Sequence, residues 1–546
     1  MNYFSALLLS LLLTITVTPI LVRAGRRFGI VDIPNARKIH TQPVPRVGGV
    51  AIALGCLVTT VLLQPGSDFI VAYLAGAGIL VVLGMVDDIR GVDYRVKFPV
   101  QLIAALIVVF YGGVRITSLG GLLPEGSTLH PWLGCVLTLL AIVGVTNAIN
   151  LADGLDGLAG GVCFLCLCSI SFFAYVTEQT VILYLAVTLA GAVFGFLRFN
   201  TYPATLFMGD AGSLFLGFSM ITLSLAITQD ATPLSPLLPL LILGLPVLDT
   251  ITVMAERIAH GRSPFAADKS HLHHRIMRLG FSHSESVFLI YLLQAGLITA
   301  AIFLRYHSEW LILAGYLVFS GAILAVFSAA AKTGWKVKRL DLIDRVIKGR
   351  LKAMILAGLL SRMTFRTVEY GLPLLLWMTC FVPATVPLYF QILSGGLLGL
   401  LSSAFLMSNR WLRRSALSLS LYLFIPVLVF SAVTHMAPWM GTYYQAVYGA
   451  VFLVLLFFVV LVLKFSRRKR GFHITPMDFL ILFLVFVVPM ILGPYQQYEN
   501  FRLIMAMTIM LFFSYEVLMG ELRENLVRLA VMTMTSLLTI VIRGFT

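Results

Sequence analysis

Five aspartates stand in three short clusters along an otherwise acid-poor chain. Asp87 and Asp88 are adjacent in Gly84-Met-Val-Asp-Asp, Asp153 and Asp156 are three apart in the run from Asn147 to Gly157, and Asp210 lies in Phe207-Met-Gly-Asp-Ala-Gly-Ser213. A fourth cluster holds His271, His273 and His274, with Arg262, Asp268, Lys269 and Arg275 around it. Grouped carboxylates beside cationic side chains suit phosphoryl transfer with a hard divalent ion. Mg²⁺ takes one or two carboxylates and fills its octahedron with water and phosphate oxygens. Asp153 and Asp156 would point the same way from a helical turn. Asp87 and Asp88 cannot both face one point from a regular helix, so their roles should differ. Carboxylates this close raise one another's pKa unless a cation neutralises them. For one pair alone, capping or loop solvation is the plainer reading, but it does not explain several acidic loops on one face.

Other patterns are weaker. An EF-hand fails because the glutamate that should close the calcium loop is missing. The His-Leu-His-His run has no thiolates nearby and lies in a basic loop, which favours phosphate or sugar contacts over zinc. Gly154, Gly157, Gly160 and Gly161 allow close backbone approach to a phosphate or, more simply, to a neighbouring helix. Asp249 sits near the inner end of an apolar segment, where a carboxylate is either functional or locally paired. Cys163, Cys166 and Cys168 lie among Phe, Leu and Ile and read as packing residues, not a metal cluster.

These residues must be positioned by membrane helices. Of the 546 residues, 59% are apolar and 12% charged, about half the charge of an average soluble protein. That excludes a soluble enzyme, a disordered chain and a disulfide scaffold, and long continuous apolar runs exclude a transmembrane β-barrel. The fold class is all-α and polytopic. Eleven segments near the ~20-residue spanning length precede residue 330, centred from Leu13 to Gly321. The first, Phe4 to Val22, reads as a retained helix rather than a cleaved leader. A basic stretch from Lys332 to Lys352 follows, then six or seven more segments centred near Pro383, Gly399, Phe424, Val454, Val487, Met510 and Met534. The expected division is a catalytic unit over 1–330, a basic linker over 331–369 and a further membrane module over 370–546. The short run 351–361 reads as an interfacial helix. The net charge of +15 reflects loop retention by the positive-inside rule, not nucleic acid. With the amino terminus outside, the basic loops alternate onto one face, Arg115 and Arg305 excepted. Every acidic and histidine cluster then falls on the cytoplasmic side.

The same residues fall into ordered motifs. They are Asp32-Ile-Pro-Asn-Ala-Arg37-Lys38-Ile-His40, Pro45-Arg46-Val-Gly-Gly, the Asp87-Asp88 pair followed by Lys97 and Gln101, and Asn147 to Gly157. Phe199-Asn200-Thr-Tyr-Pro-Ala then runs into Phe207 to Ser213, and Gly261-Arg262-Ser-Pro to His274 completes the set. Over residues 1 to about 330 the chain resembles the polyprenyl-phosphate N-acetylhexosamine-1-phosphate transferases, and within them the branch making undecaprenyl-diphospho-N-acetylglucosamine. The carboxyl-terminal ~200 residues have no counterpart in these motifs. The resemblance implies transfer of a HexNAc-1-phosphate, GlcNAc-1-phosphate above all, from a UDP-sugar to undecaprenyl phosphate in the bacterial inner membrane. It implies Mg²⁺, with Mn²⁺ as the other candidate, and leaves a homo-oligomer open. Asp210 would hold the metal with Asp87 and Asp88, and Asp87, Asp88, Asp153 and Asp156 would be catalytic. Substrate contacts would come from Asn150, Asn200, Phe207, Arg262, His271, His273, His274, Arg37, Lys38, His40, Arg46 and Lys97. A lipid-linked glycan transporter is the competing class, but its ionisable groups should lie near the bilayer midplane. A membrane scaffold is the other alternative, chiefly for the carboxyl-terminal part.

Overall fold

The structure, a computed structural model, describes residues 2–33, 43–64, 66–124, 127–229, 232–263, 270–336, 359–406, 410–438, 440–465, 499–522 and 526–545. The chain divides after Lys338 into two compact units. The first contains α1 (Asn2–Arg27), α2 (Gly48–Leu63), α3 (Asp68–Arg90), α4 (Tyr94–Phe110), α5 (Pro131–Ala152), α6 (Leu158–Val176), α7 (Thr180–Asn200) and α8 (Gly209–Gln229). It continues with α9 (Leu238–Ile242), α10 (Gly244–Ala259), α11 (Leu272–Arg278), α12 (His283–Leu304) and α13 (Glu309–Thr333). Each of the eleven expected segments is helical, and α11 is an extra short helix in the histidine loop. A small antiparallel pairing, Val31–Asp32 with Val44–Pro45, follows α1. Among the described residues ten helices are long and apolar enough to cross a membrane. Eight of the ten belong to the first unit, fewer than the eleven expected there because α2 has 16 residues, α4 has 17 and the ninth segment is split.

α8 is the axis of this unit: its apolar window is entirely buried, packed against α2, α3, α5, α6 and α7. Small residues let the neighbours approach its first turn. A Cβ on Gly84 would lie 2.3 Å from the Ala211 Cα, and one on Gly49 would lie 2.0 Å from the Gly212 nitrogen. Only glycine fits at such backbone contacts. The loop before α8 is stitched to the start of α2: Phe207 N donates to Pro45 O at 2.9 Å and Gly49 N to Met208 O at 2.7 Å.

The ninth segment breaks at Leu243, which reading by hydropathy did not anticipate. Pro246 has no N–H for the Ile242 carbonyl four residues back. That carbonyl instead accepts from Gln294 Nε2 at 2.8 Å and Cys166 Sγ at 3.0 Å, while Gly244 O accepts from Tyr316 Oη at 2.9 Å. Gln294 is fully buried. In a lipid-surrounded bundle, freed backbone groups need such internal partners.

The second unit contains helices Leu359–Thr379, Leu388–Leu406, Arg410–Thr434, Thr442–Phe465, Glu499–Leu522 and Val527–Arg543. The segment expected near Val487 lies outside the described residues. Two expectations need correction. Pro383 is not the centre of a span but lies in the turn after Thr379, where Ala437 N donates to Val382 O at 2.9 Å. The helix before it is Leu359–Thr379, which starts inside the expected linker. Arg362 and Arg366 in its first turns depress the average hydropathy there and displaced the reading.

Candidate active site

Helix ends and their loops bring the acidic clusters together at one end of the first unit. Asp88 Oδ1 accepts from Asp210 N at 3.0 Å, and its Oδ2 accepts from Ala211 N at 3.2 Å. The last turn of α3 thus caps the first turn of α8, where unpaired N–H groups favour a carboxylate. Gly209 has φ +71°, and a Cβ there would lie 2.4 Å from Asp88 Oδ2. Glycine is therefore required by both conformation and space. Asp87 Oδ1 accepts from Val92 N at 2.6 Å, and its other oxygen pairs with Lys97. Lys97 Nζ also lies 3.1 Å from Asp210 Oδ2. The two adjacent aspartates do differ in partner, as expected. Yet both converge on the start of α8, which offers side-chain and backbone groups within reach of both.

Asp210 Oδ1 accepts from Asn150 Nδ2 at 2.8 Å, and Asn150 also reaches Ser213 Oγ at 2.8 Å. One turn earlier Asn147 exchanges hydrogen bonds with Gln101, so α5 presents two amides toward α4 and α8. Asp153 ends α5 and Asp156 lies in the following loop, not on the helical turn expected for the pair. Asp156 Oδ2 accepts from Ala204 N at 2.9 Å, which ties this loop to the one before α8. Asp153 is half-buried, and burial first, then the charges of Asp210, Asp88 and Asp156, push its carboxyl up to about 7, against the pull of Arg46. Asn200 is buried: its Oδ1 accepts from Gly157 N at 3.0 Å and its Nδ2 donates to Leu206 O at 2.9 Å. Its amide holds these loops together, and each of the two atoms keeps one further hydrogen-bonding position.

The histidine loop reaches the same place. His271 Nδ1 lies 3.0 Å from Asp249 Oδ2, and Leu272 N donates to Asp249 Oδ1 at 2.7 Å. The His271 and His273 rings are parallel within 7°, and His273 and His274 lie 4.2 Å apart by centroid. His273 Nε2 is 2.4 Å from where a Cβ on Gly154 would stand. Burial first, then the neighbouring His274, pull the His273 imidazole down to about 3. The other glycines also serve packing: a Cβ on Gly161 would meet the Tyr291 hydroxyl at 1.8 Å.

The remaining expected contacts are less uniform. Arg46 pairs with the buried Asp32. Lys97 is paired with Asp87 and Asp210. Phe207 is half-buried, and Arg262 is exposed beyond α10. Arg37, Lys38, His40, Asp268 and Lys269 lie outside the described residues. Sequence reasoning missed Tyr202 and His283, whose rings stack at 4.5 Å beside the Asp156 loop. The available signal was the Ser282-x-x-Glu285 capping box, which fixes the start of α12 at His283.

Lys97 is informative about a metal. Its ammonium lies between two carboxylates, so hard oxygen donors already gather round a positive charge. Among the described residues no three His, Cys, Asp or Glu side chains form a metal cage. Carboxylate oxygens alone would suit Mg²⁺ or Mn²⁺, which complete their shells with phosphate oxygens and water, better than zinc, whose sites are built chiefly from His and Cys.

Comparison with known proteins gives a consistent result. The family model described as "Glycosyl transferase family 4" matches residues 70–228. The chain is 40% identical over 326 residues to a probable undecaprenyl-phosphate N-acetylglucosaminyl 1-phosphate transferase of Bacillus subtilis, covering 59% of this chain and 89% of that protein. It is 31% identical over 338 residues to the undecaprenyl-phosphate alpha-N-acetylglucosaminyl 1-phosphate transferase of Escherichia coli K12, covering 60% and 90% respectively. The protein of that name in Salmonella typhimurium is 32% identical over 355 residues, covering 63% and 95%. The family-model stretch runs from α3 to α8 and contains all five aspartates of the three clusters, Asp210 among them. On this likeness across nearly the whole length of its relatives, the chain belongs to glycosyl transferase family 4.

Proposed function

We propose that this membrane protein transfers GlcNAc-1-phosphate from UDP-GlcNAc to undecaprenyl phosphate, releasing UMP, as the first step of a cell-envelope polysaccharide. A phosphate oxygen of the lipid attacks the β-phosphorus of the sugar nucleotide. The new P–O bond forms as the bond to the oxygen bridging toward the α-phosphorus breaks, and that oxygen leaves with UMP. One phosphoanhydride replaces another, so the step is nearly balanced in energy. Catalysis then consists of holding two polyanions in line and offsetting their repulsion. The observation that carries the reading is the Asp87–Lys97–Asp210 bridge at the capped start of α8, an arrangement of charges suited to a diphosphate with its ion.

In this reading Asp210 and Asp87 hold Mg²⁺, or Mn²⁺ in its place, and the ion supplies positive charge for the diphosphate oxygens. Lys97 gives up part of its pairing to phosphate as substrate enters. Asp87 orients the acceptor phosphate or takes its proton, and Asp88 keeps the first turn of α8 in place. Asn150 orients Asp210, Asp153 and Asp156 border the nucleotide side with Phe207, and the histidine loop contacts the diphosphate or sugar. The site faces the cytoplasm of the bacterial inner membrane. This follows from the positive-inside distribution of the loops and from the cytosolic origin of a nucleotide sugar.

The direct test is purified protein in detergent with UDP-[³H]GlcNAc, undecaprenyl phosphate and Mg²⁺. Label should enter the lipid phase with release of one UMP per sugar, and chelation by EDTA should stop it. No lipid-phase label from UDP-GlcNAc would overturn the proposal.

A further inference from the structure

α10 presents one acidic face. Asp249 and Glu256 are seven residues apart, two helical turns, and so lie on the same side. α11 answers with His271 at its start and Arg275 four residues on, the spacing of one helical turn. The two sets meet as two rungs: Asp249 with His271, and Glu256 with Arg275 at 2.5 Å. Arg275 Nε also donates to Ser270 O at 2.5 Å, which closes the loop onto its own helix. At seven residues, α11 is too short to hold its shape alone, so its position is set by what α10 offers.

The upper rung is the more specific. The Asp249 carboxylate uses one oxygen for the His271 ring and the other for the Leu272 N–H, so it fixes a side chain and the first backbone donor of α11 at once. Side chains of His271 and Asp249 are only 7% and 11% exposed, so the contact is largely shielded from water. Facing a carboxylate, Nδ1 of His271 is the protonated nitrogen, and Nε2 is left as the ring atom for other use. The parallel His273 ring follows from the same anchoring and lies against Gly154, next to Asp153. α10 is itself held by the bonds at the break, through Gln294 and Tyr316.

We propose that Asp249 is the positioning residue of the histidine loop: by gripping His271 and the first turn of α11 together, it sets the ring tautomer of His271 and holds the loop over the aspartate loop. This rests on the transferase reading for its kinetic consequence, though not for the contact itself. Asp249→Asn keeps size and shape but has one acceptor oxygen; with that oxygen on the Leu272 N–H, its NH2 would face Nδ1 as a donor and favour the other tautomer. The expected result is a fall in kcat of about 10- to 100-fold, the range seen when outer partners of functional histidines are removed, with little change in KM for UDP-GlcNAc. Asp249→Glu, which keeps the charge, should recover part of that loss. The double variant Asp249→Asn with His271→Ala should be no slower than His271→Ala alone, because both changes remove one coupled unit.

An arm independent of activity reads the contact in the wild-type protein. ¹⁵N-histidine NMR, with His271 assigned by the resonance missing in His271→Gln, should show Nδ1 protonated. An unprotonated Nδ1 would overturn the proposal, as would wild-type kcat in Asp249→Asn, or losses that multiply in the double variant. A wild-type protein without lipid-linked product would instead count against the transferase reading, while the NMR result would still decide the pairing.

Discussion

The two units are built from similarly apolar helices, and in both the helix hydroxyls bond their own backbone, but they use their charged side chains differently. In the second unit the hydroxyls of Thr379, Ser514, Thr533 and Thr539 each bond the carbonyl one turn back in their own helix. Its few cross-helix polar contacts fasten helices: Arg543 reaches the carbonyls of Cys380 and Pro383, and Arg528 lies 3.6 Å from Glu369. In the first unit the side chains at helix ends reach other elements and meet each other: Asp88 to α8, Asp156 to the loop before it, Asp249 to α11, Lys97 to two aspartates. Polar groups that satisfy their own helix cost little and do nothing further. Charges brought together at helix ends raise one another's energy, and such an arrangement is typical of a working site.

The contrast predicts its largest effect at Asp210. Asp210→Asn removes the charge that Lys97 and Asn150 converge on, and transfer should fall by about 10²–10³-fold, as for loss of one preorganised electrostatic group. Ser394→Ala, at a fully buried hydroxyl of the second unit, should leave the rate unchanged. Lipid-phase radiolabel measured for both variants at matched expression checks this. Equal effects at the two positions would erase the distinction between the units.

A smaller effect tests the break in the ninth segment. Gln294→Leu leaves the Ile242 carbonyl with only the weak Cys166 donor, a cost of about 1–3 kcal/mol for an unsatisfied buried group. Adding Pro246→Ala supplies the missing N–H and should recover part of the loss. Thermal unfolding in detergent of the single and double variants reads both. If Gln294→Leu were as stable as the parent, the carbonyl would not depend on it.

The pH response of the first unit should hide two opposing slopes. Asp153 has its carboxyl raised from 3.8 to about 7. Between those values the folded protein holds a proton that the unfolded chain has released, so this contribution to stability is lost as pH rises. His273 is lowered from 6.5 to about 3. There the unfolded chain holds the extra proton, so stability is lost as pH falls below about 6.5. Over the overlap these two contributions oppose one another. In EDTA, Asp153→Asn should weaken the loss of stability toward neutral pH relative to the parent, and His273→Gln should strengthen it. The same slope in both variants would mean that one of the two groups is not perturbed in this way.

Much of this was legible before any coordinates, and the boundary is instructive. Asp87, Asp88, Asp153, Asp156, Asp210 and the histidines announce a shared face because helix parity and charge placement are local properties of the chain. What a given atom bonds is not local. Asn200 reads as a polar residue in a site motif, yet its amide also ties Gly157 to Leu206, partners 43 and six residues away. Lys97 reads as a substrate cation, and only the meeting of α3 and α8 shows that it bridges two aspartates. Pro246 was in view, but hydropathy averages ran straight through it, and only Gln294 on another helix shows how the break is tolerated. Arg362 and Arg366 misled in the other direction, hiding the start of a helix.

The smallest expected effect comes from removing the second unit altogether. The 326 matched residues make up 89% of the Bacillus subtilis protein, and 338 make up 90% of the Escherichia coli protein. Those relatives leave little length for a counterpart of the helices beyond Lys338. Every polar contact described at the aspartate cluster lies among residues of the first unit, and the second unit has no comparable convergence of charge among its described residues. A chain ending near Lys352 should therefore insert, keep UDP-GlcNAc-dependent labelling of undecaprenyl phosphate and respond to Asp210→Asn as the full chain does. Its thermal midpoint in detergent, read beside its rate, separates a folding defect from a catalytic one. A truncated protein that unfolds at the parent's temperature yet transfers nothing would show that the second unit contributes to the site, and the contrast between the two units would have to be redrawn as a division of labour within one catalytic body.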